Sequence, residues 1–371
     1  MTDIYSQVVP REIQKYVLDN LDTSKRVILI EAPTGSGKSY LGAAVHFVFK
    51  SRRTVIFTAT KQLQEQYLDA SGFYGLGMHV GSREKVLTNL LPLEDLLDKK
   101  IKDSEIQVLN YKLTASLSKS PADVVVIDEA DEIKDLSSLI PYANVLVVMS
   151  ATILNSELFL ADKNLSAFMD NYSFISVNDL YIKPEIRPIV YQPKAHVSLS
   201  NPNLDKLLPA VLELCTKLNN WRGIVHSVNM YLTEEIGKYL TANLPQDSIL
   251  YQSRSVSRTS LIERFRSGYG RILVSPSVIR GLDLPHDLGR FIIFAKMPFP
   301  KLDSIAPKGV DWNEWYSWKT ISSLVQGSGR CSRDLTDYSV TYIIDSNFEW
   351  FYRQNYEKFP TWFHQALRTK N

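Results

Sequence analysis

Eight consecutive residues constrain this chain more than any others: Ala32, Pro33, Thr34, Gly35, Ser36, Gly37, Lys38 and Ser39. They follow the apolar run RVILIE and open a stretch of helical pattern, so they form a loop between a buried strand and a helix. Small residues there let successive backbone N–H groups close around phosphate oxygens, and the helix N-terminus adds its dipole. Lys38 is placed to reach the β- and γ-phosphates of a nucleotide, and the Ser39 hydroxyl to ligate Mg²⁺.

About ninety residues later the run VVVI ends in Asp128, Glu129, Ala130 and Asp131. The C-terminal end of a buried strand is where a parallel sheet opens onto its ligand. Asp128 is therefore expected to hold the Mg²⁺, directly or through water, and Glu129 to polarise the attacking water as general base.

The rest of the first half supports such a sheet. Strand-like runs at Arg26–Ile30, Thr54–Thr58, Val124–Asp128 and Val145–Met149 alternate with helical patterns at Lys38–Lys50 and Lys61–Ala70. Prolines 184, 188, 193 and 202 then keep the chain extended, which places a domain boundary at 190/191. Alternation restarts with strands at Gly223–Val228, Ile249–Tyr251, Arg271–Ser275, Arg290–Phe294 and Val340–Ile344, and helices at Leu204–Leu218 and Tyr231–Asn243. The fold class is α/β: two successive parallel sheets flanked by helices, residues 1–190 and 191–371.

Composition narrows the class. At 371 residues the chain suits two domains, each with its own core. No run approaches the roughly 20 apolar residues of a membrane span, and the N-terminus lacks a signal-peptide pattern. Two cysteines, Cys215 and Cys331, are far apart and in no ligand spacing. A reducing cytoplasm is expected, without disulfides, zinc or an iron–sulfur cluster. The net charge of +2 divides as 20 Lys/Arg against 24 Asp/Glu in residues 1–190 and 22 against 16 in 191–371. A basic second half is compatible with a phosphate-rich partner.

Further segments resemble one family. Ser150-Ala151-Thr152 matches the helicase motif that couples hydrolysis to domain movement, and Gln326-Gly-Ser-Gly-Arg330-Cys-Ser-Arg333 matches the Q-x-x-G-R-x-x-R motif. Arg11 and Gln14 resemble an adenine-recognition element, and Thr58 to Gln66 resembles motif Ia. Asn110-Tyr111 precedes the Asp128 strand as in the family, and Arg280, Gly281, Asp283 and Pro285 resemble motif V. Ala295-Lys-Met-Pro-Phe-Pro300 and the strand ending at Asp345 complete the order. Together these resemble the XPD/DinG (Rad3-like) helicases of superfamily 2, across both halves.

The resemblance implies two tandem RecA-like domains with ATP and Mg²⁺ at the first domain's loop. It implies Gly281 and Asp283 at the nucleotide, and Gln326, Arg330 and Arg333 as catalytic residues, Arg333 being the arginine finger with Arg330 beside it. It further implies Thr60, Lys61, Tyr111, Ser227 and Arg280 on nucleic acid. The implied partner is single-stranded or branched DNA, with RNA as the lesser alternative, and the implied setting is replication, recombination or repair. A monomer in the cytoplasm or nucleoid, with replication or repair partner proteins, is the corresponding expectation; the compact size is compatible with a virus-encoded protein.

Two family parts are missing. No cysteine lies in the short charged insertion at 71–105, where the family holds its cluster, and only nineteen positions separate Asp131 from Ser150, where it holds an arch domain. That interval has room for a helix and a strand. Duplex unwinding therefore does not carry over with the resemblance. The literal DEAD tetrapeptide suggests an RNA helicase instead, but TATKQLQEQ and MPFP are unlike that family. An ATP-gated binding module with slow turnover is a third reading. The C-terminal stretch from Phe348 reads as an aromatic helix packed on the second domain, with base stacking as the alternative. Arg254, Arg258, Arg264 and Arg266 read as a solvated helical face.

Overall fold

The computed structural model describes residues 12–33, 35–58, 64, 67, 78–81, 106–178, 183–198, 201–245, 247–253, 256, 258–276, 284, 286–328 and 337–370. The chain divides into two compact units, one of Met1–Tyr181 with Ala306–Val310, the other of Ile182–Ile305 with Asp311–Asn371.

The first unit runs α1 (Glu12–Asp19), β1 (Val27–Glu31), α2 (Lys38–Val48), β2 (Thr54–Thr58), β3 (Met78–Gly81), β4 (Ile106–Asn110), β5 (Ala122–Ile127), β6 (Ala143–Ser150), α3 (Ser156–Asp162) and β7 (Tyr172–Ser176). Its seven strands form one sheet in the order β3-β4-β2-β5-β6-β1-β7, and every pairing is parallel. β1 and β2 are buried at every position, which is why VILIE and TVIFT are apolar without alternation. Ile28 and Ile30 of β1 pack with Leu41 and Val45 of α2, and with Val126, Val147 and Met149.

The second unit runs β8 (Ile189–Ala195), α4 (Leu204–Lys217), β9 (Gly223–His226), α5 (Met230–Asn243), β10 (Ile249–Tyr251), α6 (Arg258–Arg266), β11 (Ile272–Ser275), β12 (Phe291–Phe294), α7 (Trp312–Ser328), β13 (Val340–Asp345), α8 (Asn347–Gln354), α9 (Thr361–Ala366) and β14 (Leu367–Thr369). Its sheet, β10-β11-β9-β12-β13-β8-β14, is again all parallel. Leu207, Val211 and Leu214 of α4 and Ile236 and Leu240 of α5 pack against Val225, Val274 and Ile293.

Three expectations change. The units part between Tyr181 and Ile182, nine residues before the expected boundary. The reason is β8, whose Ile189 and Val190 pair with Thr341 and Tyr342 on one side and Leu367 and Arg368 on the other. Pro193 is tolerated in β8 because it lies beyond the β14 pairing and inside the register shift facing β13. Between Asp131 and Ser150 there is no α-helix: two 3₁₀ turns, Ala130–Glu132 and Ser137–Tyr142, lead into β6, and Pro141 keeps the second from lengthening. The C-terminal aromatic stretch is two short helices and a strand, broken at Pro360. Phe348, Phe351, Phe359, Trp362 and Phe363 are buried there, leaving Trp350 and Tyr356 exposed.

Of the other expectations, the Lys61–Ala70 helix lies outside the described residues except for Gln64 and Tyr67, as does the 71–105 insertion except for β3. Arg254 lies outside them too, whereas Arg264 stacks over the Tyr269 ring at 4.5 Å. Among the described residues no helix is long and apolar enough to cross a membrane.

Candidate nucleotide and catalytic site

The loop after β1 is held from three sides. Ala32 N–H donates to the Ser150 carbonyl at 2.9 Å, carrying the β1–β6 ladder one residue past the strand. Gly35 and Gly37 have φ of +84° and +88°, the left-handed region open to glycine. A Cβ at Gly37 would also lie 2.1 Å from Gln14 Nε2, so a side chain there would displace the Gln14 carboxamide in addition to straining the backbone. That carboxamide donates to the Ser36 and Gly37 carbonyls at 3.4 and 3.5 Å, clasping α1 onto the loop. Gln14 was expected at an adenine; the structure shows its amide nitrogen committed to the loop backbone.

Lys38 opens α2 and is buried, its ammonium donating to the Ala32 carbonyl at 3.1 Å and lying 3.8 Å from Glu129 Oε1. Ser39 follows on the same first turn. Asp128 directly follows β5 and is 1 % exposed. Its Oδ1 accepts the Glu129 N–H at 3.0 Å and its Oδ2 accepts the Tyr67 hydroxyl at 3.1 Å. Burial pushes its carboxyl up to about 6, with Lys38 opposing the shift and Glu129 adding to it. Glu129 has φ +58°, a conformation that a glutamate adopts only when its surroundings impose it. That left-handed turn ends β5 and leaves the carboxylate facing Lys38.

Such a cluster fits a nucleoside triphosphate with its divalent ion. A desolvated carboxylate with a raised pKa gains from a nearby cation, and Asp128 together with the Ser39 hydroxyl supplies the oxygen donors Mg²⁺ prefers. Lys38 in the structure rests on a carbonyl and a carboxylate, a buried cation beside the loop.

The coupling segment is tied to the same cluster. The Ser150 hydroxyl donates to Asp131 Oδ1, and Thr152 N–H donates to Ser150 Oγ at 3.1 Å. The Ala151 carbonyl accepts from Asn178 Nδ2 at 3.5 Å.

Two residues expected on nucleic acid make intramolecular bonds here. Ser227 is fully buried, its hydroxyl 2.6 Å from that of Thr233. Tyr111 turns its hydroxyl onto the Asp128 carbonyl and so braces the end of β5. Gln326 lies buried on the last turn of α7. Arg11, Thr34, Thr60, Lys61, Arg280, Gly281, Asp283, Arg330 and Arg333 lie outside the described residues.

Sequence reasoning missed three residues. Tyr67 is fully buried against Asp128, with burial and that carboxylate holding its phenol well above the ordinary tyrosine range. Lys163, 2 % exposed, donates to the Asp131 and Ile133 carbonyls at 3.2 and 2.6 Å and pairs with Asp162 at 3.4 Å. Glu31 is the last residue of β1 and Asp128 the first after β5, and the strand-end argument applied to one carboxylate would have found the other.

A double set of parallel sheets, one carrying a phosphate loop and a strand-end carboxylate pair, defines a tandem RecA-like NTPase core. Two family models match it: type III restriction enzyme res subunit over residues 7–155, and helicase C-terminal domain over residues 212–366, together most of the chain. Solved structures agree in fold. An XPD helicase superposes with a TM-score of 0.72 at 11% identity, covering 98% of this chain and 100% of that one. S. tokodaii Xpd4 gives 0.64 at 14% identity over 97% and 100%. S. cerevisiae Dbp5 bound to RNA and ADP BeF3 gives 0.59 at 15% identity over 97% and 89%. A sequence search of curated proteins gave no match. The chain thus carries a res-subunit domain followed by a helicase C-terminal domain, and these helicase domains imply an ATP-hydrolysing enzyme.

Proposed function

We propose that this enzyme is a DNA-stimulated ATPase that translocates along single-stranded DNA, in replication, recombination or repair, in the cytoplasm or nucleoid. The observation that carries the reading is the assembly of Lys38, Asp128 and Glu129, joined through Asp131 to Ser150. A nucleotide switch with slow turnover has no need of a carboxylate pair of this kind, nor of the hydroxyl link to the coupling segment.

In this reading the loop N–H groups and Lys38 bind the phosphates, and Glu129 holds the water and takes its proton. Mg²⁺ on Asp128 and Ser39 supplies charge neutralisation at the phosphate oxygens. Arg330 and Arg333 add guanidinium charge as the phosphoryl group transfers, worth roughly 10³–10⁵ in rate. Nucleic acid is held through its backbone, so binding has little sequence preference and weakens steeply with salt.

DNA is preferred to RNA on two segments that resemble the XPD group. Met297 of the MPFP segment donates its N–H to Asp345 Oδ2 at 2.8 Å, so both segments form one buried corner beside β12 and β13. The interval that holds an arch in the family is two 3₁₀ turns here, so motion along one strand is proposed without forceful strand separation. Two measurements test this. Affinities for matched single-stranded DNA and RNA should favour DNA, and an end-labelled strand should show length-dependent arrival kinetics with ATP. Preference for RNA would move the assignment to RNA remodelling, and length-independent kinetics would exclude translocation.

A further inference from the structure

We propose that Glu31 is a positioning residue that carries the state of the phosphate loop to the strand leading into the second unit. The inference deepens the ATP-driven reading above and rests on it for its biological consequence.

Glu31 ends β1 and is 4 % exposed. β1 lies between β6 and β7, and the register sets Glu31 opposite Ser150 on one side and Ser176 on the other. The carboxylate bonds in two directions. Oε1 accepts the Leu154 N–H at 2.6 Å, and Oε2 accepts the Ser176 hydroxyl at 2.7 Å. The first bond holds the end of the coupling segment, where Leu154 sits at φ +56°, a left-handed conformation that a leucine needs outside help to keep. The second holds the last residue of β7, two positions before Asn178, which itself donates to the Ala151 carbonyl. The chain passes from the first unit to the second at Tyr181/Ile182, five residues beyond Ser176.

One residue thus meets three things that a motor must keep in step, one through its backbone and two through its side chain. Its own backbone runs into Ala32, the carbonyl that Lys38 holds at 3.1 Å. Its carboxylate holds the segment whose Ser150 reaches Asp131. It also holds the strand that precedes the first of the chain's three passages between the units. A buried carboxylate is a costly way to end a strand, and shape-matched apolar residues would serve stability at least as well. What it adds is two directional bonds, and these make the loop, the coupling segment and β7 move together.

The test is amide hydrogen exchange on the full chain with and without a non-hydrolysable ATP analogue, for the wild type, Glu31→Gln and Glu31→Ala. Glutamine keeps an acceptor for Leu154 and a polar partner for Ser176; alanine removes both. In the wild type and Glu31→Gln, the analogue should slow exchange at 35–39, 150–155 and 172–178 together. In Glu31→Ala the slowing at 35–39 should persist while that at 172–178 falls at least fivefold. Ser176→Ala, which deletes a single oxygen, should lose the response at 172–178 and keep it at 150–155, and it decides the matter if Glu31→Ala fails to fold. Equal responses at all three segments in both alanine variants would overturn the proposal. ATPase stimulation by single-stranded DNA, measured alongside, tests the motor reading separately: a wild type without stimulation defeats that reading while the exchange result still decides the role of Glu31.

Discussion

Asp128 is ionised at neutral pH although burial opposes it, and the protein bears that cost at the residue where catalysis needs a carboxylate. Its carboxyl is pushed up to about 6, above the ordinary 3.8, so the folded state binds this proton more tightly than the unfolded state does. Stability at this site is therefore gained as pH falls through about 6 toward 3.8, and the ionised group destabilises the first unit above that range. Asp128→Asn keeps the shape and removes the charge. Calorimetry without nucleotide should place its unfolding several degrees higher than that of the wild type, at about 2–4 °C per kcal/mol, while the ATPase rate falls about a hundredfold or more. A lowered unfolding temperature would mean that Lys38 stabilises the ionised carboxylate more than burial destabilises it.

His226 presents the opposite sign. It is buried at the end of β9, and burial lowers its pKa to about 3 from 6.5, so the folded state binds fewer protons than the unfolded. Its contribution is complete above pH 6.5 and is lost as pH falls toward 3, at up to about 1.4 kcal/mol per pH unit. Replacing it by glutamine should flatten the acid limb of urea-midpoint measurements on the second unit. An unchanged limb would assign the acid sensitivity to other groups.

Between elements, the close approach of α2 to Tyr67 is made possible by Gly42. A Cβ there would lie 2.4 Å from the Tyr67 hydroxyl and 3.0 Å from Met149 Cε. Alanine in a helix interior normally gains about 0.5–1 kcal/mol over glycine. Gly42→Ala should instead cost about 1–3 kcal/mol by overpacking, and should lower the ATPase rate because the displaced tyrosine leaves Asp128 Oδ2. Adding Tyr67→Phe should recover most of the stability and little of the activity. A double variant no more stable than the single one would locate the clash elsewhere.

The same scale shows what could be read in advance. Central strands such as β2 and β12 fall where their apolar runs place them, because a strand buried on both faces has no other pattern. The strand β7, YSFIS, is mostly part-exposed and mixes polar with apolar residues, and β14 is three residues long, so neither has a signal of its own. The helix α7, WNEWYSWKTISSLVQGS, is rich in aromatic, serine and threonine residues of middling helix propensity, yet packing buries its last turns. Lys38, Ser39, Asp128 and Glu129 were legible because phosphate chemistry fixes their types and spacing. Tyr67 reaches Asp128 across 61 positions and Glu31 reaches Ser176 across 145, contacts that only the sheet order creates.

For the whole molecule, the two units can be followed separately. All six tryptophans (221, 312, 315, 318, 350 and 362) lie in the second unit, so their fluorescence reports its unfolding alone, whereas calorimetry sees both units. The His226 comparison can thus be made by fluorescence without separating the domains. Lys38, Asp128 and Glu129 all belong to the first unit. The proposed function makes stimulation by nucleic acid a property to be measured on the full chain.

The steady-state ATPase rate of the full chain with and without single-stranded DNA, beside Lys38→Ala, tests that most directly. The account predicts a low basal rate raised at least tenfold by single-stranded DNA, and no rate above background in the variant under either condition. A rate that no nucleic acid changes, or one that survives Lys38→Ala, would contradict it.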